Sequence, residues 1–411
     1  MDGDNKKIEV KLAPTDENNL PVSDGNLKPE ESISAEDFDN IKNDGTPLKE
    51  DKPMAKKKKR FHLNWPPTKK QAFIIFIIIL LLLGVGFYLI KHHEKKKPVT
   101  FLIPTITKTS DTVPSTLSGL PVAPSVNKIP VTGVMIENST FARPQSGLSA
   151  ANVVFEAIAE GGITRFLALY QDTAPSSIGP IRSVRPYYEQ WALGFDASLA
   201  HVGGSPEALN DITTWNVKNL DQFYNGSYYT RITTREAPHN VYTSVNELHQ
   251  LETSKGFTST NFQGFTRSKT DSPAKIPTAT NIDFAISSSD YYVNYLYNKA
   301  TNSYDRSEGG APQIDANTNK QISPKVVIAM VIPYSLEADG YHSDYAVIGS
   351  GQAYVFQNGL VTIGNWSKSS NSSQIKFTDA NGATLKLNPG QTWITAVAGN
   401  SEVSYNASTA K

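Results

Sequence analysis

The stretch FEAIAEGGITRFLALYQDTAPSSIGPIRSVR, residues 155–185, decides the fold of this chain. Two apolar segments flank the pair Gly161-Gly162, which predicts two strands joined by a tight hairpin turn. The Gly179-Pro180 pair then ends the hairpin in a loop, after which Pro186 suits the first position of a helix. Polar side chains interrupt this apolar frame at Glu156, Glu160, Arg165, Arg182, Ser183 and Arg185.

Residues 131–265 around this stretch predict an N-terminal α+β domain. An apolar run over 131–136 indicates a buried strand, and residues 245–255 indicate a helix. Ser205 followed by Pro206 is typical of a helix start, because serine caps the first amides and proline has a suitable backbone angle. Strands and helices therefore both contribute to this part of the chain.

Residues 280–407 predict a second, β-rich domain. Asn-Gly pairs at 358–359 and 381–382 lie between alternating apolar and polar segments, which is a strong signal for hairpin turns. Residues 268–280 are the predicted link between the two domains. The expected fold class is therefore α+β with a β-rich C-terminal lobe.

The N-terminal third of the chain predicts a membrane anchor. Residues 72–90, AFIIFIIILLLLGVGFYLI, carry no charge, and a helix of this length spans roughly 28 Å, which matches the hydrocarbon core. More lysines and arginines precede this segment than follow it, which places the N-terminus in the cytoplasm. Residues 1–71 are then a disordered cytoplasmic tail with a basic juxtamembrane run, and residues 91–130 are a Pro/Ser/Thr-rich spacer.

Composition excludes several classes of function. The 411 residues include no cysteine, so disulfides, thiol nucleophiles and thiolate metal sites are absent. The formal net charge is zero. In the predicted extracytoplasmic region, which follows the membrane segment, basic residues are not interleaved with aromatic residues, so no nucleic acid partner is expected. His201 and His239 lack metal-ligand spacing, and no H-E-x-x-H or P-loop motif is present. The sequence therefore predicts neither a metal nor a cofactor.

Arginines near helix starts and loops are candidate ligand-binding residues. Arg182 and Arg185, with Ser183 between them, could clamp a phosphate or carboxylate because their forked donors match such groups. The alternative is a solvated or salt-bridged pair. Arg235 and His239 lie in the predicted loop segment RITTREAPHNVYTS, where ligand contacts are common. For His239 the alternative is a hydrogen-bonded structural histidine.

The segment His201-Val202-Gly203-Gly204-Ser205 reads as a strand end, a glycine turn and a helix start. Free backbone amides at such a turn could hold an anion, which makes His201 and Ser205 further candidates. Ser205 is also a candidate helix cap. A nucleophile elbow would require G-x-S-x-G, and this segment does not have that pattern.

The two glutamates allow a catalytic alternative. Glu156 or Glu160 could act as general acid or base, with His201 assisting. On one strand face the two carboxylates lie roughly 13 Å apart, too far for a glycosidase pair at about 5–9.5 Å, whereas on a helix they would be neighbours. The structural alternative is that each glutamate forms an ion pair with Arg165, Arg182 or Arg185.

Several longer motifs are informative: GVMIEN and ARPQSGLSAA within 133–151, VFEAIAEGGITRF at 154–166, IGPIRSVRPYY at 178–188, APHNVYTS at 237–244, GSGQAYVFQNG at 349–359 and LKLNPGQTWI at 385–394. They resemble the YerB-like family of bacterial envelope proteins, which pairs an N-terminal DUF3048 domain with a smaller C-terminal one. This resemblance implies a layered α/β sandwich and an extracytoplasmic location. Many relatives look like lipoproteins, but a chain without cysteine cannot carry a lipobox, so its anchor would be the helix at 72–90.

The sequence thus predicts a membrane-anchored, extracytoplasmic binding module of the cell envelope. Its partner would be an anionic cell-wall polymer or an envelope protein. The alternatives are a cell-envelope hydrolase using Glu156 or Glu160, and an assembly scaffold with a large apolar surface. The expected binding groove is lined by Arg165, Arg182, Arg185, His201 and His239.

Overall fold

The computed structural model describes residues 111–407. The predicted tail at 1–71, the predicted membrane helix at 72–90 and the spacer up to residue 110 lie outside the described residues. Within 111–407, no helix combines the length and the hydrophobicity needed to cross a bilayer.

Three short α-helices and many strands form the described part of the chain. The helices are α1 (Pro186–Leu193), α2 (Pro206–Thr214) and α3 (Val245–Ser254). The strands are β1 (Val113–Pro114), β2 (Pro121–Val122), β3 (Thr132–Glu137), β4 (Val153–Glu160), β5 (Ile163–Tyr170), β6 (Ser198–Ala200), β7 (Lys218–Asn219), β8 (Thr230–Arg231), β9 (Val241–Tyr242), β10 (Asn281–Phe284), β11 (Val293–Asn298), β12 (Ser303–Glu308), β13 (Ala311–Pro312), β14 (Ile314–Asp315), β15 (Lys320–Gln321), β16 (Val326–Val331), β17 (Tyr334–Leu336), β18 (Ser343–Tyr345), β19 (Gly349–Gln357), β20 (Leu360–Lys368), β21 (Lys376–Asp379), β22 (Thr392–Val397) and β23 (Val403–Asn406).

One ten-stranded sheet runs through both predicted domains, in the order β21-β20-β19-β16-β22-β4-β5-β3-β6-β7. Its two halves meet where β22 pairs in parallel with β4, with Thr392 opposite Val153. A five-stranded antiparallel sheet has the order β13-β12-β11-β10-β23. The N-terminal and C-terminal segments therefore share one sheet and one hydrophobic core.

Neighbouring side chains of β4 show how the layers are arranged, because alternate residues of a strand point to opposite faces. Phe155 stacks on Trp191 of α1 with 4.9 Å between ring centroids. Glu156 contacts Arg306 of β12 on the other face. The ten-stranded sheet thus lies between α1 and the five-stranded sheet. Strands dominate both segments, so the described chain is β-rich with few helices.

Local turn and cap signals correctly predicted several elements. The hairpin between β4 and β5 turns at Gly161 and Gly162, which have φ of 56° and 78°. Asn358 and Gly359, with φ of 61° and 74°, form the turn between β19 and β20. Positive φ at both central residues is what such tight turns require. Ser205 caps α2 by accepting a hydrogen bond from the Ala208 amide, as the sequence indicates.

The folded region begins earlier than the predicted boundary at residue 131. Residues 111–130, assigned from their composition to the spacer, form β1 and β2 and bury Leu117 completely. Arg267 donates to the Leu117 carbonyl at 2.7 Å, and the Ser115 hydroxyl donates to Asp172 at 2.6 Å. Long-range contacts fix this segment, and its Pro/Ser/Thr composition gives no local sign of them.

Candidate functional site

Glu156 is the centre of a buried polar network. Arg306 donates to its two carboxylate oxygens at 2.8 and 2.7 Å, and Trp393 Nε1 donates to Oε2 at 3.0 Å. The guanidinium carbon of Arg306 lies 4.5 Å from the Trp393 ring centroid. Nη2 donates both of the bonds to Glu156, and these bonds together with the cation–π contact hold the guanidinium in one orientation. Because neither Glu156 nor Arg306 has exposed surface, this ion pair is a structural link between the two sheets.

A second carboxylate, Glu308, extends this network. It lies 3.4 Å from Arg306 Nη1 and 3.3 Å from Arg143 Nη2, and Asn138 Nδ2 donates to it at 2.6 Å. Burial raises the pKa of Glu308, although both arginines oppose this shift. Burial by itself lowers the pKa of Arg306, but the Glu156 carboxylate raises it above its ordinary value. The network thus pairs two carboxylates with two guanidinium groups.

Glu160 forms ion pairs with two arginines predicted to bind a ligand. Arg165 Nη2 lies 2.6 Å from Oε1, and Arg185 Nη2 lies 2.5 Å from Oε2. Burial raises the pKa of Glu160, but the charges of the two arginines outweigh it and hold the pKa below its ordinary value. Arg165 also donates to the Ser183 carbonyl at 2.8 Å. Both guanidinium groups are therefore internal ion-pair partners, which corrects the expectation that they line an open groove.

These contacts do not support the hydrolase alternative. A general acid or base must lie within reach of the substrate. Glu156 is buried in an ion pair with Arg306. Glu160 forms ion pairs with Arg165 and Arg185. Both glutamates form ion pairs, as the structural alternative predicts. The partner of Glu156, however, is Arg306 of the C-terminal segment and not one of the three predicted arginines.

His201 and Ser205 have structural roles. His201 is completely buried, its Nδ1 lies 2.8 Å from the Gly203 carbonyl oxygen, and its Nε2 lies 3.0 Å from Asn219 Oδ1. Burial lowers the pKa of His201, which favours the neutral ring. Ser205 is the cap of α2 and is buried. Both side chains are buried and bonded within the protein, contrary to their assignment as binding residues.

Two of the predicted binding residues, Arg182 and His239, come together around Glu137 at the end of β3. His239 Nδ1 lies 2.7 Å from Glu137 Oε1, and Arg182 Nε lies 3.3 Å from Oε2. The Ser139 hydroxyl donates to the same Oε1 at 2.7 Å. Glu137 is buried, whereas the side chains of His239 and Arg182 are 22% and 27% exposed. The buried carboxylate therefore holds two partly exposed basic groups side by side.

Arg235 joins this group through the loop that contains Phe141. It donates to the Phe141 carbonyl at 2.7 Å and to the Pro144 carbonyl at 2.8 Å. The Phe141 ring is 76% exposed and lies 5.6 Å from the His239 ring. Among the residues that the structure describes, Arg235 has no carboxylate partner. Phe141, Arg182, Arg235 and His239 are called the His239 surface below.

The His239 surface is arranged for binding more than for nucleophilic catalysis. A carboxylate only accepts hydrogen bonds, so Glu137 fixes the Nδ1–H tautomer of His239 and leaves Nε2 free of any partner within residues 111–407. In a nucleophilic triad the serine hydroxyl would be bonded to that free nitrogen. Here Ser139 instead donates to Glu137. The surface thus offers guanidinium donors, an imidazole nitrogen and an exposed aromatic ring.

A possible cation site lies elsewhere, in the hairpin of β17 and β18. Glu337, Asp339 and His342 place one ligand atom each within 4.8 Å of one another. Asp339 Oδ1 already accepts hydrogen bonds from the backbone amides of Tyr341 and His342, and these amides lower the pKa of Asp339 to about 2. Exposed acidic groups of this kind are common in proteins that bind no ion.

Comparison with known proteins identifies the family. The models for the N-terminal and C-terminal domains of a protein of unknown function, DUF3048, match residues 117–258 and 282–394. The putative lipoprotein YerB of Bacillus subtilis (strain 168) is 32% identical over 299 residues, which cover 70% of this chain and 89% of the relative. The chain belongs to the DUF3048 family. A crystal structure of YerB from Bacillus subtilis, 28% identical, superposes with a TM-score of 0.65 and covers 72% of this chain and all of that one.

The His239 surface and the Arg306 network involve different DUF3048 domains. The His239 surface lies wholly within the N-terminal domain, whereas Arg306 and Glu308 belong to the C-terminal domain. Sequence reasoning did not select Glu137, which organises the His239 surface. A signal was present, because Glu137 is the first polar residue after the apolar run of β3 and falls inside a motif shared with the family. The partners of Arg306 carried no local signal.

Proposed function

We propose that this protein is a membrane-anchored, extracytoplasmic binding module of the bacterial cell envelope, and that the His239 surface binds an anionic group of a cell-wall polymer. The description of the Bacillus subtilis relative as a putative lipoprotein supports the envelope location. Without a cysteine, this chain would use residues 72–90 as its anchor. The segment lies outside the described residues, so the single-pass topology remains part of the proposal.

The observation that carries the binding proposal is that Arg235 has no carboxylate partner among the described residues. Its guanidinium group is positioned by two backbone carbonyls, and no carboxylate of the described chain neutralises it. Arg231, on β8 in the same loop region, is exposed, and within residues 111–407 its guanidinium bonds only to the neutral side-chain amide of Asn240. Guanidinium groups with unused donors favour phosphate or carboxylate ligands.

The aromatic ring beside these charges fits a polymer better than a free ion. Phe141 is exposed next to His239, so a ligand whose anionic group contacts Arg182 and Arg235 could also cover this ring. Removing exposed apolar surface from water favours binding by about 25 cal/mol per Å². The ligand proposed is therefore an envelope polymer that carries phosphate or carboxylate groups beside apolar surface.

Titration calorimetry on the intact chain in detergent tests this proposal. Poly(glycerol phosphate) supplies phosphate groups, and muramic acid-containing fragments supply carboxylates. We expect one of these probes to bind, and the double variant Arg182→Gln/Arg235→Gln to bind it at least about tenfold more weakly, since charge-assisted hydrogen bonds contribute about 1.5–3 kcal/mol each. Higher salt should weaken wild-type binding as well.

Lys299→Gln is the matched control, because it removes an exposed positive charge from the turn between β11 and β12 without touching the His239 surface. This variant should bind as the wild type does. Equal affinity of the double variant and the wild type would refute the assignment of the site. Absence of binding to both anionic probes, with capture of an envelope protein instead, would replace the polymer by a protein partner.

A further inference from the structure

One face of the five-stranded sheet points to solvent and carries closely spaced amide and carboxylate side chains. Opposite residues of an antiparallel pair lie on the same face, and the register places Asp283 opposite Asn294 and Asn294 opposite Ser307. The other face packs on the ten-stranded sheet through Phe284 and Arg306. The exposed or half-buried positions of the solvent side, called the outer face below, are Asn281, Asp283, Asn294, Leu296, Asn298, Asp305, Ser307, Ser404 and Asn406.

The composition of the outer face is unusual for a sheet. Asparagine and aspartate are depleted in strands, yet they occupy most of these positions on neighbouring strands. Strand stability therefore does not account for them. No lysine or arginine occurs among these positions, and the hydrogen-bond donors to Asp283 and Asp305 within residues 111–407 are neutral side chains. The two carboxylates thus disfavour an anionic ligand at this face.

Cross-strand hydrogen bonds hold the side chains of the outer face in place. Asn294 Nδ2 donates to Asn281 Oδ1 at 2.8 Å and to Asp283 Oδ1 at 2.7 Å. Asn281 Nδ2 donates to the other oxygen of Asp283 at 3.0 Å. The oxygens of Asp305 accept two similar bonds, at 2.6 and 3.3 Å. Because each carboxylate oxygen can accept a second bond, the ladder presents acceptors that are already ordered before a ligand binds.

Tyr292 adds an aromatic ring at one end of the outer face. It directly precedes β11 in an extended conformation and is exposed. Residues two apart on a strand share a face, so Tyr292 lies on the side of Asn294 and is a diagonal neighbour of Asp283. Leu296, also exposed, lies four residues further along, at roughly 13 Å. One sugar ring does not cover that span, whereas a short oligosaccharide does.

Sugars match this combination of groups. A pyranose ring has an apolar C–H face, which packs on an aromatic ring, and a rim of hydroxyls, which donate to carboxylate and amide oxygens. A cationic peptide would also complement two aspartates. The amides, however, outnumber the carboxylates on the outer face, and both carboxylates already accept hydrogen bonds from neutral groups. Hydroxyl donors therefore fit the outer face better than full positive charges do.

We propose that the outer face binds an uncharged glycan, with sugar hydroxyls bonded to Asp283 and Asn294 and a sugar ring packed on Tyr292. The strands of this sheet all follow residue 280, whereas the His239 surface lies in the N-terminal domain. The glycan site differs from the His239 surface in ligand charge as well. It would give the protein a contact to envelope glycans that does not depend on the anionic polymer.

Calorimetric titration of the intact chain, in a detergent without a sugar headgroup, tests this assignment with chitotetraose and maltotetraose. We expect at least one of these neutral oligosaccharides to bind, and added salt to leave its affinity unchanged because the ligand carries no charge. Tyr292→Ala should weaken this binding at least about tenfold. Tyr224→Ala is the matched control, since it removes an exposed tyrosine that lies outside the sheet, and it should bind as the wild type does.

Asn294→Leu provides the second test, because it keeps the size of the side chain and removes the amide. It should also bind the sugar at least about tenfold more weakly, and the Arg182→Gln/Arg235→Gln variant should bind it normally. Full binding by Tyr292→Ala or by Asn294→Leu would overturn the assignment, as would failure of both sugars to bind wild-type protein. Tetralysine binding that Asp283→Asn weakens, without sugar binding, would assign the outer face to a cationic partner instead. None of these results bears on the anionic site, which the charged probes test separately.

Discussion

Replacing Arg306 by methionine is expected to lower the free energy of unfolding by about 3–5 kcal/mol, because removal of one partner leaves buried carboxylates without a counter-charge. Glu156 and Glu308 both lie within 3.4 Å of the guanidinium group and are buried. Arg143 would still contact Glu308, so Glu156 would be the main source of the loss. Denaturant unfolding of the intact chain, followed by tryptophan fluorescence, measures the change.

Lys325→Met is the matched control for this prediction. Lys325 forms an ion pair with Asp271 at 3.1 Å, but about a third of each side chain is exposed. Exposed pairs contribute about 0–1 kcal/mol, so this variant should unfold close to the wild type. Arg306→Lys should fall between the two, since an ammonium keeps the charge but loses the separate donors that also reach Tyr295 and Gln313. Similar midpoints for Arg306→Met and Lys325→Met would show that the Arg306 network contributes little.

The hairpins and helix caps could be predicted from the sequence because their signals are local. Gly161-Gly162 and Asn358-Gly359 specify turns through backbone angles that few other residues adopt. Ser205 before Pro206 specifies a helix start in the same way. The ordered segment at 111–130 was missed, because contacts such as Arg267 with Leu117 join residues 150 positions apart.

The site was harder to predict than the fold, because charge pairing depends on which side chains become buried together. The sequence predicted that Arg165 and Arg185 line a binding groove. In the structure Glu160 lies between them and neutralises part of their charge. Glu156 pairs with Arg306 across 150 residues, and no local pattern indicates that partner. Arg182, Arg235 and His239 were each predicted as binding residues, but not as a separate group. Glu137, which contacts Arg182 and His239, was not predicted.

The second large effect on stability is expected at Glu189, because its carboxyl group is buried without a hydrogen-bond partner among the described residues. It lies on α1 with no exposed surface, and neither carboxylate oxygen has a hydrogen-bond partner among the described residues. Burial, together with the nearby charges of Asp211 and Glu207 on α2, raises the pKa of Glu189 to about 10 from an ordinary value of 4.5. The folded protein therefore keeps a proton that the unfolded chain releases.

Glu189→Gln is expected to stabilise the protein increasingly as the pH rises from 5 to 8. A group with a raised folded pKa loses stability at about 1.4 kcal/mol per pH unit between its unfolded and folded pKa values, here 4.5 and about 10. Glutamine keeps the shape of the side chain and cannot ionise. The free energies of unfolding of variant and wild type should therefore diverge by about 4 kcal/mol over these three pH units.

Unfolding curves in urea at pH 5, 6, 7 and 8 measure this divergence. Glu236→Gln is the control, because Glu236 is exposed and its charge is not among the causes of the shift at Glu189. Its pH profile should follow that of the wild type closely. Parallel profiles for wild type and Glu189→Gln would mean that the carboxyl group of Glu189 ionises near its ordinary pKa, and that water or a cation reaches a position that is closed in this structure.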